Sequence, residues 1–217
     1  MSKTALIAGA SGLVGSELLK ILIGSKEYNK IHVLTRRALN IHSPKIVEHI
    51  IEFDNLSDFD PAKPVDHVFC CLGTTIKKAK TKENFRKVDF DYVVDLGKKS
   101  KDINASKFLV ISSLGANAKS AIFYNRVKGE MEKVLQEIGL PHLFIFRPSL
   151  LMGNRNENRT GEKSAIMVYK VINPLFIGKL KKYKGIPADK VAKGMHETAL
   201  KNENTFQILE SDEIQNF

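Results

Sequence analysis

Three side chains in one stretch have the makings of an acid–base centre: Ser113, Tyr124 eleven residues on, and Lys128 four beyond that. In a helix, a tyrosine and a lysine four apart share a face. An isolated phenol titrates at about pH 10, too high for proton traffic in neutral water. A neighbouring ammonium favours the phenolate and lowers that value. A serine hydroxyl aimed at the same point can hold a carbonyl oxygen while the tyrosine protonates it. Such a trio suits hydride transfer between a nicotinamide and a carbonyl or alcohol, which makes Ser113, Tyr124 and Lys128 the catalytic candidates. Tyr-x-x-x-Lys arises easily in so lysine-rich a chain. Its weight therefore comes from what lies upstream.

Upstream, a short apolar run from Ala5 to Ala8 stops at Gly9, and glycines recur at Gly12 and Gly15 before a helix-period pattern at Leu13, Val14, Leu18, Leu19 and Leu22. Gly9 allows a tight turn out of a strand, Gly12 lets a phosphate approach the backbone, and Gly15 lets the helix pack closely. The free amides of the first helical turn, Leu13 and Val14 among them, would face the pyrophosphate of a dinucleotide. Ser11 offers a hydroxyl to the same phosphates. No Lys-Ser or Lys-Thr pair follows the last glycine, which argues against a P-loop. At the end of the second strand stand Thr35, Arg36 and Arg37, where a carboxylate would favour NAD. Two guanidiniums there match a 2′-phosphate, so the sequence favours NADP. Asp54 is placed to meet the adenine edge, and Gly73 ends the fourth strand where dinucleotides lie.

These residues need a scaffold of alternating strands and helices, and the pattern supplies one. Strands are predicted at Ala5–Ala8, Ile31–Leu34, Ile46–Ile51, His67–Leu72, Phe108–Ile111, Leu143–Phe146 and Thr205–Leu209. Asp54-Asn55-Leu56 reads as a turn. One long amphipathic helix is expected from about Asn84 to Lys99, with Phe85, Val88, Tyr92 and Leu96 on its stripe. Further helices are read at Tyr124–Ile138, Ser164–Phe176 (interrupted by Pro174) and Asp189–Lys201, and Asn154–Lys163 as a mobile loop that would close over substrate. The alternation implies an α/β fold, a Rossmann-like doubly wound parallel sheet with helices on both faces.

Composition narrows the class. At 217 residues and 43% hydrophobic, the chain reads as one soluble domain, with about 150–217 forming the substrate side. No apolar run is long enough to span a membrane, since Arg147 and Lys170 interrupt the two candidates. The first strand starts at the N-terminus, so no signal peptide is expected. Cys70 and Cys71 are adjacent and expected on opposite faces of a strand, which argues against a disulfide and for a cytoplasmic location. The six histidines show no metal-ligand spacing, so no metal is assigned. A net charge of +10 draws anionic ligands, but no nucleic-acid motif accompanies it.

The passages GASGLVG, LTRRAL, CCLGTT, FRKVDFDYV, LVISSLGA, YNRVKGEME and FRPSLLMGNR, spread over residues 5 to about 155, resemble the short-chain dehydrogenase/reductase superfamily. More narrowly they resemble its atypical branch of HIV Tat-interactive oxidoreductase-like proteins. The resemblance implies an NADP-binding fold with Ser113, rather than its neighbour Ser112, beside Tyr124 and Lys128. It implies cofactor contacts from Gly9, Ser11, Gly12, Leu13, Val14, Gly15, Arg36, Arg37, Asp54, Leu56, Leu72, Gly73, Thr74, Tyr124 and Lys128. The Pro148-Ser149-Leu150 turn would line the nicotinamide. Many members carry an asparagine in the helix after the fourth strand, where this chain has Asp89. Some members regulate other proteins, which offers a second reading: a cofactor-binding module with a protein partner and little turnover.

Overall fold

The computed structural model describes residues 2–62, 64–153, 183–201 and 205–217. Seven strands form one sheet in the order β3-β2-β1-β4-β5-β6-β9, and every neighbouring pair is parallel. They are β1 (Lys3–Ala8), β2 (Tyr28–Thr35), β3 (Ile46–Ile50), β4 (His67–Cys70), β5 (Lys107–Ile111), β6 (Leu143–Arg147) and β9 (Phe206–Glu210). A separate two-residue pair, β7 (Leu151–Met152) with β8 (Ile186–Pro187), was not expected from sequence. The chain starts in mid-sheet, winds outward through β2 and β3, then returns beside β1 as β4. That reversal makes β1/β4 the topological switch point, where a crevice opens at the carboxyl ends of the strands.

Alternation along each strand divides the core. Ala5 and Ile7 of β1, Leu109 of β5 and Phe144 and Phe146 of β6 face one side. There they meet α1 (Leu13–Gly24) and α6 (Ala188–Leu200), through Leu18, Leu19 and Leu22 and through Val191, Ala192 and Met195. Leu6, Ala8, Val110 and Ile145 face the other side, under α4 (Tyr92–Asp102) and α5 (Phe123–Glu137). Strands buried on both faces are what a doubly wound sheet requires. A short helix, α7 (Ser211–Ile214), follows β9 and closes on a capping box between Glu210 and Glu213.

Three local readings are corrected. The fourth strand stops at Cys70 rather than Leu72, and the Asp54 turn is a 3-10 helix over Phe53–Asp58. The single helix expected from Asn84 to Lys99 is present, continuous from Lys82 to Asp102, but it is not one regular α-helix. Two short helices, α2 (Ile76–Ala79) and α3 (Lys82–Arg86), lead into a π-helical turn at Lys87–Asp91, and α4 follows. Its buried line is Phe85, Asp89, Val93, Leu96 and Gly97, with Val88 and Tyr92 only half-buried. The loop expected at Asn154–Lys163 and the helix at Ser164–Phe176 lie outside the described residues.

Candidate active site

Gly9 leaves β1 with φ +84°, a conformation natural to glycine. A Cβ there would lie 2.4 Å from the Cys71 carbonyl oxygen, so the end of β4 passes directly across the turn. A Cβ on Gly15 would come within 2.2 Å of the Gly9 carbonyl, which fixes how closely α1 seats on the turn. The Gly12 N–H donates to Gly9 O at 2.9 Å, and Gly12 then caps α1 with no side-chain acceptor. Ser11 and Gly12 are exposed. The amides of Leu13, Val14 and Gly15 therefore begin a helix with no side-chain cap beneath an open glycine turn, a donor set that fits a pyrophosphate. The side chain of Val14 is in the core, so only its backbone is available there.

Around this turn the other expected contacts divide. Thr35 Oγ1 donates to Arg37 O at 2.7 Å and accepts from the Arg37 N–H at 3.3 Å, shaping the bend after β2. Arg36 and Arg37 stand exposed beyond it. Asp54 is also exposed, but its carboxylate holds Lys87 at 2.8 Å, and that bond keeps it below its usual range. Leu56 is 2% exposed, and its side chain belongs to the core beside Phe53 and Phe59, so only its backbone is available there. Leu72, Gly73 and Thr74 leave β4 over the crevice. A Cβ on Gly73 would lie 3.4 Å from Asp89 Oδ1 and 3.9 Å from Lys128 Nζ.

The acid–base candidates gather on the far side of β4. Ser112, just past β5, is buried, and its Oγ has no hydrogen-bond partner among the described residues. Ser113 is half-buried and donates to Leu114 O at 3.3 Å. The loop that follows lies on α5: the Asn117 N–H donates to Asn125 O at 3.0 Å. A Cβ on Gly129 would clash with Ala118 N at 2.1 Å. Gly129, next to Lys128, thus lets the serine loop sit against the helix that carries Tyr124. Among the described residues no hydrogen bond links Ser113 to Tyr124. Tyr124 is half-buried with its ring 5.4 Å from that of Phe85. Pro148 is buried, its carbonyl accepting the Leu114 N–H at 3.0 Å, and Leu150 is exposed beyond it.

Lys128 is the surprise. It is 3% exposed and 2.7 Å from Oδ1 of Asp89, itself 1% exposed, while Asp89 Oδ2 accepts the Thr74 N–H at 2.8 Å. Burial alone would push the Lys128 ammonium down, but the Asp89 carboxylate, with Tyr124 and Cys70 behind it, holds it above the ordinary lysine range. One turn further along α5, Glu132 binds Arg147 through both oxygens, to Nε at 3.0 Å and Nη2 at 2.6 Å. Arg147 Nη1 reaches Glu210 at 2.9 Å, tying α5, β6 and β9 together. Sequence reasoning noted Asp89 without a partner and missed Glu132. The four-residue steps from Tyr124 to Lys128 to Glu132 were the available signal for the latter.

This arrangement, a glycine turn at the switch point with tyrosine and lysine across the crevice, can be compared with known proteins. Residues 33–183 match the sequence profile of the family described as HIM1. The chain belongs to the HIM1 family. Protein HTATIP2 of Rattus norvegicus is 36% identical over 165 residues, covering 74% of this chain and 68% of that protein. Protein FMP52, mitochondrial, of Lodderomyces elongisporus is 34% identical over 172 residues, covering 73% and 71%. Among solved structures, MoeE5 in complex with UDP-glucose and NAD superimposes with a TM-score of 0.70 at 15% identity, covering 95% of this chain and 75% of that one. At that identity the likeness is one of fold. The HIM1-family chain has a Rossmann-like fold, a seven-stranded parallel sheet with helices on both faces. The expected cytoplasmic location does not stand: the FMP52 relatives from Lodderomyces elongisporus, Scheffersomyces stipitis and Debaryomyces hansenii are named mitochondrial. Two adjacent free cysteines do not name a compartment.

Proposed function

We propose that this chain binds NADP(H) across the β1/β4 switch point and moves hydride between it and a small carbonyl or alcohol. The observation that carries the reading is the meeting, at one sheet edge, of an uncapped glycine-lined helix start with Tyr124 and a buried, charged Lys128. The Leu13 and Val14 amides, with Gly9, Ser11 and Gly12, would hold the pyrophosphate. Arg36 and Arg37 would take the 2′-phosphate with paired donors. The backbone of Leu72–Thr74 would run along the nicotinamide half, with Pro148 and Leu150 opposite. When bound, the nicotinamide supplies or accepts the hydride. Tyr124 gives its proton to the substrate oxygen in reduction, and Ser113 turns its hydroxyl from Leu114 O to hold that oxygen. Its present bond, at 3.3 Å, is long for a hydroxyl donor and easily surrendered.

One observation favours a second reading, a dinucleotide-binding regulatory module with a protein partner and little turnover. Asp89 takes part of the Lys128 charge that would otherwise serve the phenol alone. Fluorescence titration with NADPH and NADH separates the possibilities, followed by NADPH consumption over a panel of aldehydes and ketones. Tighter NADPH with turnover supports the enzyme, and tight NADPH without turnover supports the module. Equal or reversed affinities sink the NADP reading.

A further inference from the structure

We propose that Asp89 is the positioning residue of this site: its carboxylate holds the Lys128 ammonium in place, keeps it charged, and ties it to the loop that leaves β4. The proposal rests on the reading of Lys128 as part of the dinucleotide site. Both oxygens of Asp89 are committed, Oδ1 to Lys128 at 2.7 Å and Oδ2 to the Thr74 N–H at 2.8 Å. Thr74 belongs to the strand-end loop and Lys128 to α5, so one buried carboxylate fixes two walls of the crevice. Gly73 lies over the pair, and even a methyl group there would be in contact with it.

The helix widens by one residue to achieve this. In the Lys87–Asp91 turn the Tyr92 N–H reaches back five residues to Lys87 O. The wider π turn keeps residues four apart in line, which brings Phe85, Asp89 and Val93 all onto the buried side. Such turns are rare and recur at functional sites. A plain amphipathic helix needs no acid on its buried line.

The ionisable groups around Lys128 leave the task to Asp89. Tyr124 lies on its own helix, the buried Cys70 thiol faces it from β4, and Glu132, one turn on, spends both oxygens on Arg147. A buried ammonium without a counter-charge gives up its proton readily. An ammonium has three donors, so the bond to Asp89 leaves two for the tyrosine side and a ribose hydroxyl. An asparagine would keep an acceptor for Thr74 but would remove the charge.

The test uses the full chain with isotope-labelled lysines. Lys128 is followed by side-chain NMR against pH in wild type and Asp89→Asn, with Lys128→Met for assignment. NADPH affinity is measured over the same range. Wild-type Lys128 is expected to titrate above the ordinary lysine range and the variant's below it. NADPH affinity should stay level in wild type. In the variant it should fall as pH rises through the lowered lysine value, by at most about tenfold for each pH unit. An unshifted Lys128 titration in Asp89→Asn overturns the proposal, as does a shifted titration with no change in the NADPH profile. If wild type binds neither NADPH nor NADH, the cofactor reading fails, and the lysine titration alone decides whether Asp89 governs Lys128. If Asp89→Asn does not fold, Asp89→Asn/Lys128→Met is expected to recover folding, because the orphaned ammonium is gone. Failure of the double variant leaves Asp89 a packing residue and overturns the proposal.

Discussion

His67 offers a quantitative test of how the sheet is held at its amino-terminal edge. It opens β4, is 2% exposed, and places Nδ1 2.6 Å from the Tyr28 hydroxyl. Burial, with Lys107, Lys3 and His196 adding to it, pushes its imidazolium down from 6.5 to about 3. Burial also raises the Tyr28 phenol, so the hydroxyl stays protonated, and the two side chains share one hydrogen bond whose direction follows the imidazole tautomer. Because the folded value lies below the unfolded one, the unfolded chain takes up the extra proton first. Stability is therefore complete above about pH 6.5 and is lost as pH falls toward about 3. Linkage puts the loss at about 2 kcal/mol by about pH 5, relative to about pH 8. His32, buried and 2.8 Å from His49, is lowered to about 4, first by burial and then by His49 and Lys30. It contributes about 2 kcal/mol more in the same direction. Together that is about 4 kcal/mol against a typical total of about 5–15 kcal/mol.

Urea unfolding followed by circular dichroism, at about pH 8 and about pH 5 and equal ionic strength, measures this loss directly. His67→Gln keeps an acceptor for Tyr28 but cannot titrate, so its loss between the two pH values should shrink by about 2 kcal/mol. The comparison is between pH values within each protein, so any baseline cost of the substitution cancels. Equal losses in wild type and His67→Gln would refute the reasoning.

Arg36→Ala should weaken NADPH by about 1.5–3 kcal/mol, the range for hydrogen bonds to charged groups, and leave NADH nearly untouched in the same fluorescence titration. Tyr124→Phe should abolish turnover of any substrate found while NADPH still binds, because the hydroxyl serves the transition state and not the cofactor. Turnover retained within about a few-fold would move the assignment away from Tyr124. Glu132→Gln should cost about 3 kcal/mol in urea unfolding, the low end for breaking a buried pair, because Arg147 keeps Glu210 at 2.9 Å. A cost below about 1 kcal/mol would mean that the pair contributes no more than a surface one.

What could be read without the fold was whatever local chemistry dictates. The turn at Gly9, the first turn of α1 and the strand interiors follow from glycine's conformational freedom and from apolar runs, both written within a few residues. Tyr124 and Lys128 share a helix face by spacing alone. Two exposed arginines after β2 needed only the strand's end to be placed. The tertiary structure decided everything that depends on a distant partner. Asp54 looked free until Lys87, 33 residues away, closed on it. Leu56 offers no side chain to a ligand because the 3-10 helix over Phe53–Asp58 turns it into the core. The stripe through Val88 and Tyr92 gave way to Asp89 because a buried carboxylate is tolerable only where a cation meets it, and that cation comes from another helix. A hydrophobic period records how much of a helix is buried. It cannot record that the buried line includes a charge, since the burial of that charge becomes affordable only once Lys128 and the Thr74 amide have been brought to it.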